Sequence, residues 1–444
     1  MKADQSTPSS QRPRRVCIAP NDVASYYSGL RDGLATHGIE CWFFCFDYTP
    51  YTRYRPCPSA PWLERLVYHI ASSPFLAKTL AGRLLARFLL LILRPVCCLA
   101  ATLYCDVFVF GFGCTFLRRL ELPFLRLLGR RLIFVFNGSD TRPAWMSGLY
   151  LLGPNRPDAD AILRETQRQQ RCIRTIERYA DEIICHPLSA QLLTKPFVNH
   201  LIVGHPFAPG ETLPETIDKP DGTRLHVLHA PTRPLQKGSP QFGEAIARLR
   251  TSGVAVEYYE ITGRPNHEVL LAITTSDLVL DQLYSDIPLA GLATETAALG
   301  RPLFVGGYGH AELARFKGDN PIPTAHYFHP DDLDKALRMF AADPAYRERL
   351  AAEIKTFALE QWNPPAMAQR FLRLLTAGTP ADWYVDPATL NYWQGWGASE
   401  DAVRRGIAAL IAHAGEKALG LNHNPALLAE VIRQSSLKVT APIP

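Results

Sequence analysis

At 444 residues the chain exceeds one ordinary domain and suits two or three. Apolar residues at 47 % and charged residues at 20 % exclude a mostly disordered protein, and 36 prolines against 29 glycines follow no collagen-like or low-complexity period. The net charge of +5 is too small to imply a nucleic-acid partner.

Residues 1–14 are polar and lack the apolar core of a secretory signal. The first ordered unit reads as strand 15–20, helix 22–37 and strand 39–46, a βαβ opening that predicts a parallel sheet with helices on its faces. Basic charge then concentrates. Residues 53–131 hold twelve Lys/Arg against three Asp/Glu, a net +9, so the rest of the chain sums to −4. Within that region lies 83–105 (RLLARFLLLILRPVCCLAATLYC). A membrane-spanning helix wants about 20 mostly apolar residues. Here Arg83, Arg87 and Arg94 interrupt, and the longest uncharged run, 95–105, has eleven residues. Spaced by four and then seven positions, the arginines fall on one face of a helix, which suits the plane of an anionic membrane surface rather than a span. A buried helix with snorkelling arginines is the bland alternative.

Further strands are expected at 106–110, 131–136, 182–185 and 200–203. A proline-rich stretch, 206–221, breaks the pattern. The alternation then restarts with strand 225–229, helix 243–253, strand 256–261, helix 267–275, strand 277–283, helix 292–299 and strand 302–305. Two α/β halves joined by a proline-rich linker follow. All ten cysteines precede His186 and no Cys-x-x-Cys pair exists, so they read as small hydrophobes in a reduced compartment rather than zinc or redox ligands.

The sharpest chemical signal follows the first strand of the second half. HAPTRPLQKGS presents Arg233, Lys237 and Gly238 just outside the strand's carboxyl end, where open α/β sheets bind ligands. Two cations there suit a diphosphate, and Gly238 allows close backbone approach. In ATETAALGRPLF, Glu295 is expected in the first turn of a short helix closed by Gly300, where a helix amino end favours phosphate and a carboxylate can accept ribose hydroxyls. Each residue has a plainer reading. Lys237 could be an exposed loop lysine, and Glu295 could simply favour its helix's positive end. His229 could be packed or a base, and Asp281 could close its strand. Asp140, in Gly138-Ser139-Asp140-Thr141-Arg142, could cap a turn, meet an acceptor hydroxyl or join an inter-domain salt bridge with Arg142.

Lys237-Gly238, DLVLDQ (277–282) and ETAALGRP (295–302) resemble the donor half of GT-B glycosyltransferases, in particular the large retaining family of polysaccharide and lipopolysaccharide enzymes. CDVFVFGFGCTFL and RLIFVFNGSDTR resemble the acceptor half, and the similarity runs over 15–386. The resemblance implies two Rossmann-like domains facing each other across a cleft: 15–205 on the acceptor side, a linker at 206–223, 224–362 on the donor side, and a crossover helix with a C-terminal helical extension at 363–444. It implies a nucleotide-sugar donor between the halves, with Arg233, Lys237 and Gly238 at the diphosphate, His229 beside them and Glu295 at the ribose. Asn137, Gly138, Ser139, Asp140 and Arg142 would lie on the acceptor side, with Asp140, Asp286 and Lys237 as catalytic candidates. No metal and no cofactor are expected, since protein cations and the helix dipole do that work. Transfer would proceed with retention, the diphosphate helping to take the acceptor's proton.

The chain departs from the family pattern. The first of its two glutamates falls on Ile287, with Asp286 adjacent; Arg233 lies closer to the lysine than usual. Asn137 stands where many relatives have histidine, and Asn21 and Asp22 replace a glycine pair. The expected protein is a peripheral membrane glycosyltransferase on the inner face of the cytoplasmic membrane, acting on a glycan or lipid-linked acceptor. A sugar-nucleotide epimerase and a degenerate nucleotide-sugar-binding scaffold are the rivals. The aromatics of 383–396 (Trp383, Tyr384, Tyr392, Trp393 and Trp396) could form an acceptor platform that stacks on sugars, but an anchor for the C-terminal segment is expected, and the tail from Ser399 carries no chemical motif.

Overall fold

A computed structural model describes residues 15–48, 54–154, 156–206, 223–317, 322–376 and 378–437. The linker expected at 206–223 lies almost wholly outside the described residues. Twelve strands form two sheets: β1 (Arg15–Ala19), β2 (Glu40–Phe43), β3 (Val107–Gly111), β4 (Arg131–Val135), β5 (Glu182–Cys185), β6 (Phe197–Asn199), β7 (Leu225–His229), β8 (Val256–Glu260), β9 (Leu278–Leu280), β10 (Leu303–Gly306), β11 (His326–Phe328) and β12 (Tyr384–Val385). The first sheet runs β12-β6-β5-β4-β3-β1-β2 and the second β11-β10-β9-β7-β8. Every pairing is parallel except β12 on β6, where Tyr384 faces Val198. The central strands VFVFG and LIFV are buried on both faces, as a sheet covered by helices on each side requires. These are two Rossmann-like α/β domains, with a helical extension at the C-terminal end.

The chain returns to its first domain. Helix Pro364–Leu375 buries Met367, Phe371 and Leu374 in the core of the first sheet, against helix Tyr26–Thr36. A Cβ on Gly33 would meet the Pro364 carbonyl at 2.2 Å, so glycine is what lets the two helices touch. β12 then extends the first sheet, and helices Glu400–Ala414 and Pro425–Ser435 close a fourth core. That core joins Trp393, Val403 and Leu410 to Trp145 and Leu188 of the first domain and Leu313 of the second. Trp383, Tyr392 and Trp393 are buried, as an anchor requires.

Three local expectations are corrected. Residues 200–203 are a helix, not a strand: the Asn199 side chain accepts the Leu201 N–H at 3.0 Å and Gly204, at φ 89°, ends the turn, so the strand lies at β6 instead. Helix 22–37 begins only at Tyr26, because Asp22 accepts the Tyr27 and Ser28 amides at 3.0 and 3.2 Å across a loop with Ala24 and Ser25 in the left-handed region. Glu295 lies in the second turn of helix Gly291–Ala298.

The basic region folds as helices Trp62–Ala71, Pro74–Lys78, Leu80–Tyr104 and Leu122–Leu127. Cys97, Cys98 and Ala101 of the long helix, with Leu122 and Leu125, pack on one face of the first sheet. The outer side stays bare. Leu84, Phe88, Leu91, Leu99 and Leu103 are 55–67 % exposed, with Trp62, Phe75, Leu120, Phe124 and Leu127 at 66–83 %. By length and composition the Leu80–Tyr104 helix could cross a membrane, and only 22 % of its most apolar stretch is buried. Arg83 and Arg87 are exposed. Arg94 turns inward, 4.7 Å over the Phe46 ring and 3.9 Å from Asp47, so it is not on the outer side with them. All ten cysteines are free thiols.

Candidate active site

In the second domain, β7 ends at His229 and the chain makes the turn Pro234–Lys237 before helix Ser239–Thr251. Gly238 joins them at φ 85°, and a Cβ there would lie 2.5 Å from that of Leu283. That closeness fixes Lys237 beside the loop after β9. Its Nζ sits 2.9 Å from Asp281, a fully buried carboxylate. Asp281 therefore holds the lysine. His229 is fully buried beneath this turn, with Nδ1 2.7 Å from the Leu280 carbonyl and Nε2 2.9 Å from Ser239 Oγ. A carbonyl can only accept, so Nδ1 donates and Nε2 accepts. Burial also pushes the ring down to about 4, so it is neutral. His229 is a packed support and does not line the cavity, contrary to its expected place at the donor.

In the first domain, β4 leads into Asn137–Arg142. Asp140 accepts the amides of Asn137 and Gly138 at 3.0 and 2.9 Å, closing the turn. Its carboxyl is pushed up to about 7 by burial, against those hydrogen bonds. Tyr27 holds the same segment from below, donating to Asn137 Oδ1 at 2.8 Å. Arg142 then crosses to the other domain. Its Nε and Nη2 donate to the two carboxylate oxygens of Asp286 at 2.6 and 2.7 Å, and the side chains are 4 % and 0 % exposed. The guanidinium also lies 5.2 Å from the Trp396 ring centroid. An inter-domain salt bridge of Arg142 thus exists, with Asp286 rather than Asp140 as its acid. Both Asp286 oxygens are occupied by Arg142, which corrects its expected catalytic role to a positioning one.

Between the domains lies a cavity of about 410 Å³. Thr232, Arg233, Lys237, Gln282, Ile287 and Gly291 line it from the second domain. Asn137, Ser139, Arg142 and three histidines line it from the first. Glu295 does not line it; it is half-buried, accepting from Asn266 Nδ2 at 2.8 Å. Ile287 puts an apolar side chain into the cavity.

Sequence reading missed three residues. His186, His200 and His205 line the cavity, each with one buried ring nitrogen that no protein group pairs. Burial lowers His200 to about 4 and His205 to about 3, so they are neutral donor–acceptor groups. His186 follows β5 directly, so the carboxyl-end rule that found Lys237 could have found it. Trp396 reaches the cavity from the C-terminal extension, donating to Gln282, while its backbone bonds Met146 and Gly148. It belongs to the aromatic cluster of 383–396, for which the anchor reading is preferred over a sugar platform. Among the described residues no group of three His, Cys, Asp or Glu is placed to hold a metal ion.

No protein-family model matches the sequence, and no curated protein matches it. Solved structures resemble it at low identity. HepE of Anabaena, in complex with UDP and glucose, is 12 % identical with a TM-score of 0.45, covering 82 % of this chain and 99 % of its own. WaaG, a glycosyltransferase involved in lipopolysaccharide biosynthesis, is 12 % identical at 0.38, covering 82 % and 100 %. The UDP-GlcNAc 2-epimerase of Neisseria meningitidis, bound to UDP-GlcNAc, is 10 % identical at 0.36, covering 82 % and 99 %.

Truncating one member of the Arg142–Asp286 pair leaves a buried charge unpaired, at a cost of about 3–5 kcal/mol. Arg142→Met and Asp286→Leu should each lower the denaturation midpoint strongly. The double variant should lose less than their sum, a coupling that a double-mutant cycle measures.

Proposed function

We propose that the protein is a glycosyltransferase that moves a sugar from a nucleotide-sugar donor to a glycan or lipid-linked acceptor at a membrane surface. The observation that supports this most is the cleft itself: carboxyl ends of two parallel sheets line one cavity, cations on one side and a polar turn on the other. Arg233 and Lys237 would meet the diphosphate, aided by the start of helix Gly291–Ala298. Asp281 keeps Lys237 in place and tempers its charge. Glu295 is assigned to the ribose, its carboxylate steadied by Asn266. The acceptor oxygen bonds the anomeric carbon as the carbon–oxygen bond to the diphosphate breaks. The departing diphosphate takes the proton, and the anomeric configuration is retained. Asp140 does not line the cleft and acts through its turn: its carboxylate holds the Asn137 and Gly138 amides, and Asn137 and Ser139, which line the cleft, would meet the attacking hydroxyl. In this scheme the protein's own cations do the work a metal would otherwise do.

The membrane assignment rests on the bare apolar side of helix Leu80–Tyr104, continued by Phe75 and Phe124, with Arg83 and Arg87 beside it. The acceptor-side domain carries this surface, so a lipid-linked acceptor would be met there. The apolar Ile287 and the occupied Asp286 favour a second reading, a nucleotide-sugar-binding scaffold without turnover. Turnover of donor alone, without transfer, would instead indicate an epimerase.

Calorimetry with UDP, GDP and their sugars tests the donor site. Lys237→Ala should weaken binding about ten- to a hundredfold, the worth of a charge-assisted hydrogen bond, and Glu295→Ala should also weaken it. No nucleotide binding by the folded protein would leave the scaffold reading. Asp140 should make transfer rise with pH through about 7, since its ionised carboxylate is the form that best holds the Asn137 and Gly138 amides shaping the turn. Asp140→Asn should lose that limb along with most of the rate. Flotation with anionic vesicles tests the surface. Removing Arg83 and Arg87 together should weaken binding by about 2 kcal/mol, roughly 1 kcal/mol each, and unchanged partitioning would exclude membrane attachment here.

A further inference from the structure

A second cavity, of about 240 Å³, lies behind the cleft within the first domain. Phe112, Ser139, Arg142 and Leu149 line both cavities, so the turn after β4 is the wall between them. Arg119 and Asp140 line only the smaller one. We propose that this chamber is an effector site, separate from donor and acceptor, that takes a small zwitterion of the α-amino-acid class and steadies the turn from behind. The chamber's ligand does not depend on the glycosyltransferase reading; only the consequence for nucleotide affinity rests on it.

The charges around the chamber decide the ligand class. Most are neutralised within the protein: Arg168 pairs with Glu165 at 2.5 Å, and Arg142 with Asp286. Two are not. Arg119 donates to the Gly113 carbonyl at 3.0 Å, and Asp140 meets the amides of its own turn; neither forms an ion pair among the described residues. The Cys172 thiol between these groups, raised by burial, feels both: Arg119 pulls it down and Asp140 pushes it up. One cation and one acid thus face the same space without meeting. A ligand with one charge of each sign satisfies both, whereas a simple anion leaves Asp140 without a partner and meets Glu165 as well. Two buried neutral groups also await a partner there. Gln169, 2 % exposed, spends Nε2 on the Ser139 and Arg142 carbonyls at 3.1 and 2.8 Å and leaves Oε1 unpaired. Ser147, 3 % exposed, has an unpaired Oγ. Oε1 and the Asp140 carboxylate can only accept, and an ammonium supplies three donors while favouring the ionised acid. The Arg119 guanidinium matches a carboxylate. Phe112 and Leu149 give an apolar wall for a side chain.

The same two acceptors are the struts of the wall. Asp140 holds the Asn137 and Gly138 amides, and Gln169 holds the Ser139 and Arg142 carbonyls. On the other side, Asn137, Ser139 and Arg142 line the cleft. An ammonium that meets Asp140 and Oε1 therefore tightens both struts, and an occupied chamber presents the turn to the cleft in one conformation. Arg119 reaches the chamber along a strained path: Phe112, Arg118 and Arg119 all hold left-handed backbone that the surrounding fold maintains. Arg168, 65 % exposed at its side chain, marks the solvent side by which a small molecule enters. By linkage, a nucleotide that favours the ordered turn and a ligand that orders it strengthen each other's binding by the same factor.

Saturation-transfer NMR on the full chain, with the common amino acids as probes, tests the chamber without any nucleotide. Wild type should bind at least one. The matched carboxylic acid and the matched amine, each lacking one of the two charges, should bind about tenfold more weakly or worse. Arg119→Met should weaken the amino acid to a similar degree, and Ser147→Ala, whose hydroxyl supports no protein contact, should weaken it several-fold. Lys237→Ala, on the far side of the wall, should leave it unchanged. No binding of any amino acid, equal binding of the matched acid or amine, or binding lost in Lys237→Ala and kept in both chamber variants overturns the proposal. Hydrogen exchange reads the effect on the wall: the bound amino acid should slow the Asn137 and Gly138 amides several-fold, and unchanged exchange overturns the effector role. Calorimetry with UDP reads the coupling, since UDP should bind several-fold tighter with the amino acid present; equal affinity overturns the link to the cleft. Amino-acid binding with slowed exchange but no UDP binding would overturn the donor reading and spare the effector site. UDP binding without amino-acid binding would do the reverse.

Discussion

The buried pair between Arg142 and Asp286 is the contact on which the rest of the site depends. Removing two charges from water costs several kcal/mol per ion, and only close bidentate geometry offsets it. What the pair supplies is register more than net stability. It sets the turn after β4 opposite the loop after β9, so that the carboxyl edges of two independent sheets line one cavity. Trp396 covers the guanidinium and donates to Gln282, adding a third piece of chain to the same junction. The backbone of that piece bonds both Met146 and Tyr284, so the C-terminal extension is sewn to both domains.

Around this junction the charges are arranged to be held rather than free. Lys237 leans on Asp281, and Asp140 is held by the amides of its own turn. The histidines are neutralised by burial. A cleft built this way presents few mobile charges of its own. An incoming diphosphate would meet one exposed cation, Arg233, and one steadied one, Lys237. Buried groups that are oriented beforehand need little reorganisation when charge develops, which is the physical advantage of such a site.

The first domain joins this chemistry to a surface. One face of its sheet is covered by helices whose outer sides are leucine and phenylalanine. Such an area is far more apolar than a solvated face needs to be. Anchored on the sheet by Cys97, Cys98 and Ala101, the long helix is part of the domain and keeps a fixed position relative to the cleft. The geometry links a greasy exterior to a polar interior over a short stretch of chain, from Leu120 back to Phe112.

Much of this was legible in the sequence, because the signals were local. Continuous apolar runs flanked by turn residues marked nearly all the core strands, and the restart after the proline-rich stretch marked two domains. Lys237 and Gly238 were found because ligands gather where a strand's carboxyl end meets a glycine turn. The errors were local competitions that pattern alone does not resolve. At 200–203 an apolar run was claimed by the Asn199 cap, and at 22–25 the helix start was claimed by Asp22. Whether His229 was packed or a ligand, and whether Asp286 was a catalyst or a strut, depended on atoms more than a hundred residues away or hidden beneath the turn. Composition and periodicity determined two α/β halves, a basic apolar region and a cationic turn. Only the tertiary structure decided which acid Arg142 meets and that three histidines and Trp396 share one cavity. Those facts come from side chains converging across domains, and no spacing along one chain records that convergence.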